Sequence, residues 1–266
     1  MKSYFCRGMK IVFLFLFIGK FQAAYSFEEV KSIDIRALSL GQVRALSRLT
    51  NPAFLPFSEQ KLIGASVFSR FEMKELSTQS VFGLIPNRLL DMNVRLSMFG
   101  YSEYQLIEGQ AGFAEKLSSN FSIGTSVCYL IENSILGESL RTHLQADVSF
   151  LWQINQTFEW ALITENLLHT RNSQPAACFS GLRCQLHPAT CVLAEAGYDS
   201  QKRFHITAGV EYEIVKDLTV RGGFRNNPQA PSLGFAYKVE HWNIETAFLF
   251  HQALGLSSGI AIAYIF

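Results

Sequence analysis

The feature that most limits what this chain can become is a two-residue alternation of apolar and polar side chains, repeated in stretch after stretch from about Leu62 to the last residue. Between Phe204 and Ile214, for instance, Phe204, Ile206, Ala208, Val210, Tyr212 and Ile214 share one parity, and His205, Thr207, Gly209, Glu211 and Glu213 the other. The same split separates Leu144, Ala146, Val148, Phe150 and Trp152 from His143, Gln145, Asp147 and Ser149. It also separates Met92, Val94, Leu96 and Met98 from Asn93, Arg95 and Ser97. A period of two sends successive side chains to opposite faces of a strand, and helical spacing fits none of these runs.

Alternating strands can close into a soluble sandwich, with the apolar face inside, or into a membrane barrel, with the apolar face toward lipid and the polar face toward the lumen. Length decides for the barrel. A tilted strand needs about 9 to 11 residues to cross the hydrocarbon, as these segments have, whereas globular strands average about 5 to 6. Aromatics gathered near segment ends (Tyr101, Tyr104, Trp152, Trp160, Trp242, Tyr264) suit interfacial girdles.

The expected fold is therefore all-β, a transmembrane antiparallel β-barrel. Its segments fall near 61–71, 76–85, 91–101, 104–116, 119–132, 139–153, 157–166, 178–186, 190–199, 203–214, 217–225, 231–239, 241–252 and 256–266. That makes about 14 strands, an even number as bacterial barrels show; twelve is the alternative, because the stretch around Cys178 alternates poorly. Composition agrees: 48% of residues are hydrophobic and 13% aromatic, yet 17% are charged. A net charge of +1 excludes a general nucleic-acid binder, which needs clustered Lys and Arg.

Three regions are expected. Residues 1–26 read as a signal peptide: Lys2, Arg7 and Lys10 precede the apolar run "IVFLFLFIG", and small residues lie before a cut near Ser26. Lys20 interrupts that run before the roughly 20 residues a membrane anchor needs. Residues 27–58 read as an N-terminal plug or periplasmic segment, partly helical and ending at the Asn51-Pro52 turn, with a loose lead-in as the alternative. Residues 59–266 form the barrel.

Asn51, Pro52 and Ala53 sit in "ALSLGQVRALSRLTNPAFLPF", which resembles the segment leading into an "NPA" motif in FadL-type outer-membrane proteins, especially their PorV/PorQ-like branch. "GVEYEIVKDLTVRGGFRNN", "PSLGFAYKV" and "WNIETAFLFHQALGLSSGIAIAYIF" resemble that family's closing strands, and "ITENLLH" its mid-barrel turn. The spacer before "NPA" is shorter and more basic than the family's. The resemblance implies a barrel of about fourteen strands with N-terminal residues packed in or against the lumen. It further implies either passage of hydrophobic small molecules or a non-enzymatic part in type IX protein secretion or surface attachment. Tyr264 and Phe266 resemble the terminal signal read by the outer-membrane barrel-assembly machinery. Outer-membrane lipids, that machinery, a hydrophobic ligand and secretion-system proteins are thus the expected partners, in the outer membrane of a Gram-negative bacterium.

The lumen-facing candidates are Arg95, His143, Asp147, His205, Glu211, Glu213, Arg221, Arg225, Glu245 and His251. Both signs occur on neighbouring segments, so a ladder of interior ion pairs is the plain reading and a polar constriction the sharper one. "CFSGLRCQLHPATC" gathers Cys178, Cys184, His187 and Cys191, but its spacing suits no zinc knuckle; a Cys184–Cys191 disulfide across the hairpin is the alternative to free thiols. A lipid hydrolase would need Ser and His held together in a set geometry, with His143 and Ser149, or His205 and a nearby Ser, as the candidate pairs; no enzyme and no cofactor is expected.

Overall fold

The computed structural model describes residues 34–58, 60–87, 90–134, 141–168, 175–252 and 254–266. The expected signal peptide lies outside them. Fourteen strands follow: β1 (Leu62–Ser69), β2 (Ser77–Ile85), β3 (Asp91–Tyr101), β4 (Tyr104–Ser118), β5 (Phe121–Ser134), β6 (Arg141–Gln153) and β7 (Phe158–Glu165). The second half is β8 (Ala177–His187), β9 (Thr190–Asp199), β10 (Phe204–Val215), β11 (Leu218–Asn226), β12 (Gln229–Val239), β13 (Trp242–His251) and β14 (Gly255–Ile265). Each pairs antiparallel with its neighbours in sequence, and β1 pairs with β14, so the sheet is a closed barrel with no free edge. Closure satisfies every ladder hydrogen bond within the wall, which a bilayer demands. Among the described residues, no helix is long and apolar enough to cross a membrane.

The alternation maps directly onto the two faces. Outward residues such as Ile63, Leu96, Val127, Phe204, Phe235 and Ile260 are exposed, while inward Asn93, Arg95, Gln145, Asp147 and Ser149 are buried. A chain that exposes its apolar side chains and buries its charges inverts the soluble pattern, and lipid makes that inversion stable. At the seam, Leu62 opposes Ile265 and Ser69 opposes Ser258. The Phe266 N–H donates to the Lys61 carbonyl at 2.9 Å, so the terminal aromatic is pinned at one end of the barrel. That end, which carries both the start of β1 and the end of β14, is here termed the terminal end; the other is the distal end.

The barrel interior is filled rather than open. Helix α1 (Ile35–Ser39) and a 3₁₀ turn (Pro52–Phe57), with the chain between them, lie inside the ring. Leu40, Val43, Ala45, Leu46 and Phe54 of this inner segment pack on Leu151, Ala161, Ile163, Phe179 and Leu193 of β6–β9. Ile35 and Leu38 pack on Phe68, Ala247 and Ala261. Several inward positions are therefore large and apolar because a second layer of protein, not water, faces them.

Two local expectations change. The helix is five residues long and stops well before Asn51, because Gly41 (φ 82°) and Gln42 (φ 66°) adopt left-handed backbone that ends it. Asn51-Pro52 instead starts the 3₁₀ turn, where the Asn51 Oδ1 accepts the Ala53 N–H at 2.9 Å. Tyr104 does not join an outer girdle. It shares the inward parity of Leu106 and Glu108, and its ring packs edge-on against Phe99 at 6.3 Å.

Candidate functional site

Polar side chains of the wall hold the inner segment by its backbone. The buried Glu195 carboxylate on β9 accepts the Arg44 N–H with both oxygens (2.9 and 3.0 Å) and the Leu46 N–H at 3.4 Å. Ser232 donates to the Ser39 carbonyl and accepts the Gly41 N–H; Ser122 donates to the Ala53 carbonyl; Asn93 donates to the Leu49 carbonyl. The inner segment pairs only part of its own backbone, so these wall partners help it to sit in a closed interior. Asn51, fully buried, also donates to the Ala45 carbonyl, and Gly124 lets Pro52 and Ala53 approach: a Cβ there would stand 2.6 Å from the Ala53 nitrogen.

Charge is matched in the same layer. Arg36 meets Glu211 at 2.6 Å, Arg221 meets Glu211 at 3.5 Å and Glu245 at 3.0 Å, and Arg44 meets Glu165 at 2.9 Å. Burial by itself would lower the Arg36 pKa, but Glu211 and then Asp34 hold it above its ordinary value, so the guanidinium stays charged. Across the lumen, Arg95 pairs with Gln110 and lies 3.7 Å from Glu108, and Asp147 accepts from Ser126 (3.1 Å) and from the Asn166 N–H (2.7 Å).

Above the inner segment, toward the distal end, opens a cavity of about 450 Å³. Its floor is Leu38, Gly41, Gln42 and Arg44. Phe68, Phe71, Phe99 and Leu249 give apolar walls; Arg70, Arg203, His205, Arg225 and His251 give a basic lining. Arg70 lies over the rings of Phe68 and Phe99 (5.3 and 5.1 Å to the centroids), so its charge is presented on an aromatic bed. His205 bonds Asp199 at 3.1 Å, and Asp199 also accepts from Arg203 at 2.8 Å. Below the inner segment, a smaller cavity of about 90 Å³ is lined by Arg48, Phe54, Phe57, Leu84 and Glu159. The two are separated by the packed residues Leu40 to Leu46.

The ten lumen candidates thus divide. His205, Arg225 and His251 line the upper cavity; Glu211, Arg221 and Glu245 form one ion-pair cluster; Arg95 and Asp147 belong to the opposite wall. His143 is half-buried on β6, opposite Leu130, away from both cavities. Glu213 is exposed and accepts the Asp217 N–H at 3.2 Å, so it caps the β10–β11 turn instead of lining the lumen; parity alone does not say where along a strand the lumen ends.

The cysteine reading resolves against a bridge. Cys191 faces its direct partner Gln185, while Cys184 opposes Val192 and so projects from the other face of the sheet. Among the described residues, Cys178, Cys184 and Cys191 are free thiols. Cys191 instead accepts from the Arg183 Nε at 3.0 Å. Among the described residues no group of three His, Cys, Asp or Glu could hold a metal. Treatment of the folded barrel with an oxidant such as copper phenanthroline is expected to leave peptides containing Cys184 and Cys191 unlinked by mass spectrometry, since opposite faces of one sheet cannot meet disulfide geometry.

Glu195, Asp199 and Glu165 escaped sequence reasoning, as did Arg70, Phe71 and Arg203 of the upper cavity. The inward parity Cys191, Leu193, Glu195, Gly197, Asp199 carries a signal for the first two. No signal marks that the backbone of Arg44, distant in sequence, is the partner.

Neither a protein-family model nor any curated protein sequence matches this chain. Solved structures do match it. A FadL homologue from Pseudomonas aeruginosa superposes with a TM-score of 0.62 at 10% identity over 93% of this chain and 99% of that one. The CymD monoaromatic hydrocarbon channel gives 0.63 at 10% identity over 86% and 95%. The Pseudomonas putida toluene transporter TodX gives 0.60 at 12% identity over 86% and 95%. Its structural neighbours are thus FadL-family outer-membrane transporters, and the likeness is one of fold.

Proposed function

We propose that this protein is an outer-membrane channel for small hydrophobic molecules, closed at rest by its N-terminal plug. The observation that carries the reading is the upper cavity: a chamber with aromatic walls, open toward the distal end and floored by the plug, in a barrel whose outer face suits lipid. Such a chamber takes a solute from outside, and the plug must shift for it to go further. Connections at the terminal end are mostly two-residue turns, at 119–120, 188–189, 216–217 and 240–241, whereas the distal end carries the longer 70–76 and 166–176. Barrels of this class keep short turns on the periplasmic side, so the upper cavity faces the exterior. The fold shared with hydrocarbon channels supports the same conclusion.

A secretion role would favour long distal loops as a docking platform. Four of the distal connections (102–103, 200–203, 227–228 and 252–254) are short, which favours transport.

The test is uptake of the apolar probe N-phenylnaphthylamine by outer-membrane vesicles containing the protein. Uptake is expected to exceed that of empty vesicles, and His251→Trp, which fills the cavity beside Phe71, should bring it close to the empty-vesicle rate. Equal uptake with and without wild-type protein would overturn the transport reading.

A further inference from the structure

The outer wall carries a gap across β1 to β3 that its amphipathic pattern does not explain. On β1 to β3 outward Ile63, Val67, Val81, Ile85, Val94 and Leu96 are apolar and exposed. Within that surface, in register between Ile63 and Val94, stands Gly83. Its missing side chain leaves a notch, part of an external cavity of about 550 Å³ lined by Ile63, Val81, Gly83, Val94 and Phe266, with Lys61 at its end.

Position fixes what the notch can hold. Lys61 is exposed just before β1, on the parity of outward Ile63, and its carbonyl is held by the Phe266 N–H. Trp242, Tyr264 and Phe266 lie at the same end, with ring centroids 5.0 Å apart in succession. Aromatic clusters of this kind sit at headgroup depth. The groove therefore starts at the headgroup level beside one cation and runs toward mid-wall along an apolar floor.

We infer that this groove is a binding site for one phospholipid of the leaflet at the terminal end, an acyl chain lying over Gly83 and the phosphate at the Lys61 Nζ. In a bilayer, an apolar chain gains little from leaving other chains, so shape and charge must supply the preference. The notch supplies shape, and one lysine supplies roughly a fivefold preference for an anionic headgroup. A second copy of the barrel is a poorer occupant, because a stable protein contact buries about 1,200–2,000 Å² and a notch one side chain wide offers no such area.

The geometry also provides a clean variant. A Cβ at position 83 would sit 3.6 Å from the Leu62 carbonyl and 3.7 Å from Val94 Cγ2, ordinary contacts, so Gly83→Leu fills the groove without displacing the wall. Native mass spectrometry of the full barrel, released from detergent with 1-palmitoyl-2-oleoyl-phosphatidylglycerol, should show one retained lipid for wild type. Gly83→Leu should abolish that adduct while leaving the heat-modifiable barrel band unchanged, and Lys61→Gln should weaken it about fivefold. An adduct unchanged in both variants would overturn the inference, as would barrel dimers dispersed by Gly83→Leu. Should Gly83→Leu fail to fold, Lys61→Gln decides alone, and an adduct it leaves unchanged overturns the inference. Probe uptake should be unaffected by either substitution, so this site and the transport reading fail separately.

Discussion

Replacing Glu195 by alanine is expected to release the plug and convert a closed barrel into a leaky one. The carboxylate accepts two backbone N–H groups of the inner segment, and the substitution removes this buried acceptor from both. Each buried donor left unsatisfied costs about 1–3 kcal/mol, and a bond to a charged acceptor lies at the upper end of that range. The barrel itself should persist, because its ladder is complete without the plug. Single-channel recording in planar bilayers should show persistent conductance for Glu195→Ala and far less for wild type, with Glu195→Gln between them because one amide oxygen still accepts. Wild-type-like closure of Glu195→Ala would place the main hold on the plug elsewhere, in the Ser232 and Ser122 contacts or the apolar packing.

Gly223→Leu should produce a second large effect by sterics rather than by polarity. A Cβ on Gly223 would overlap the Leu40 carbonyl carbon and the Gly41 nitrogen, both main-chain atoms that no rotamer change can move. The wall is held by a closed hydrogen-bond ladder, while the plug is held by a handful of bonds and packing contacts, so the plug is the part that yields. The expected outcome is an assembled barrel, normal by heat-modifiability on gels, whose residues near Arg44 become cleavable by trypsin added to the terminal-end side. Gly83→Leu is the matched control, since on the outer face the added Cβ meets nothing closer than 3.6 Å. Protection from trypsin equal to wild type in Gly223→Leu would show that the wall can bend at β11.

Much of the barrel was legible before any coordinates. The parity of Phe204, Ile206 and Val210 against His205, Thr207 and Glu211 named the two faces of β10, and the strand count followed from the spacing of such runs. Periodicity is a local property, so it survives in sequence whatever the partner is. The ion-pair ladder was legible only as a tendency. That Arg221 meets Glu211 and Glu245 depends on register, and that Arg36 joins them depends on a segment remote in sequence. Tyr104 and Glu213 show the limits from both sides: aromatic character did not say which face Tyr104 takes, and inward parity did not say whether Glu213 lies within the lumen or beyond its rim.

By itself the sequence determined the wall, including the apolar final strand that closes it, because alternation over about ten residues admits one kind of element in one kind of solvent. Tertiary structure decided that the wall encloses a second layer. Inward Leu151, Ile163, Phe179 and Leu193 look like breaks in the polar face until Leu40, Leu46 and Phe54 are seen against them. Glu195 looks like one more lumen carboxylate until the backbone of Arg44 is found between its oxygens. The physical reason is separation along the chain: the plug's hydrogen bonds reach wall residues 44 to 193 positions away, and no local pattern records a meeting that only closure of the barrel brings about.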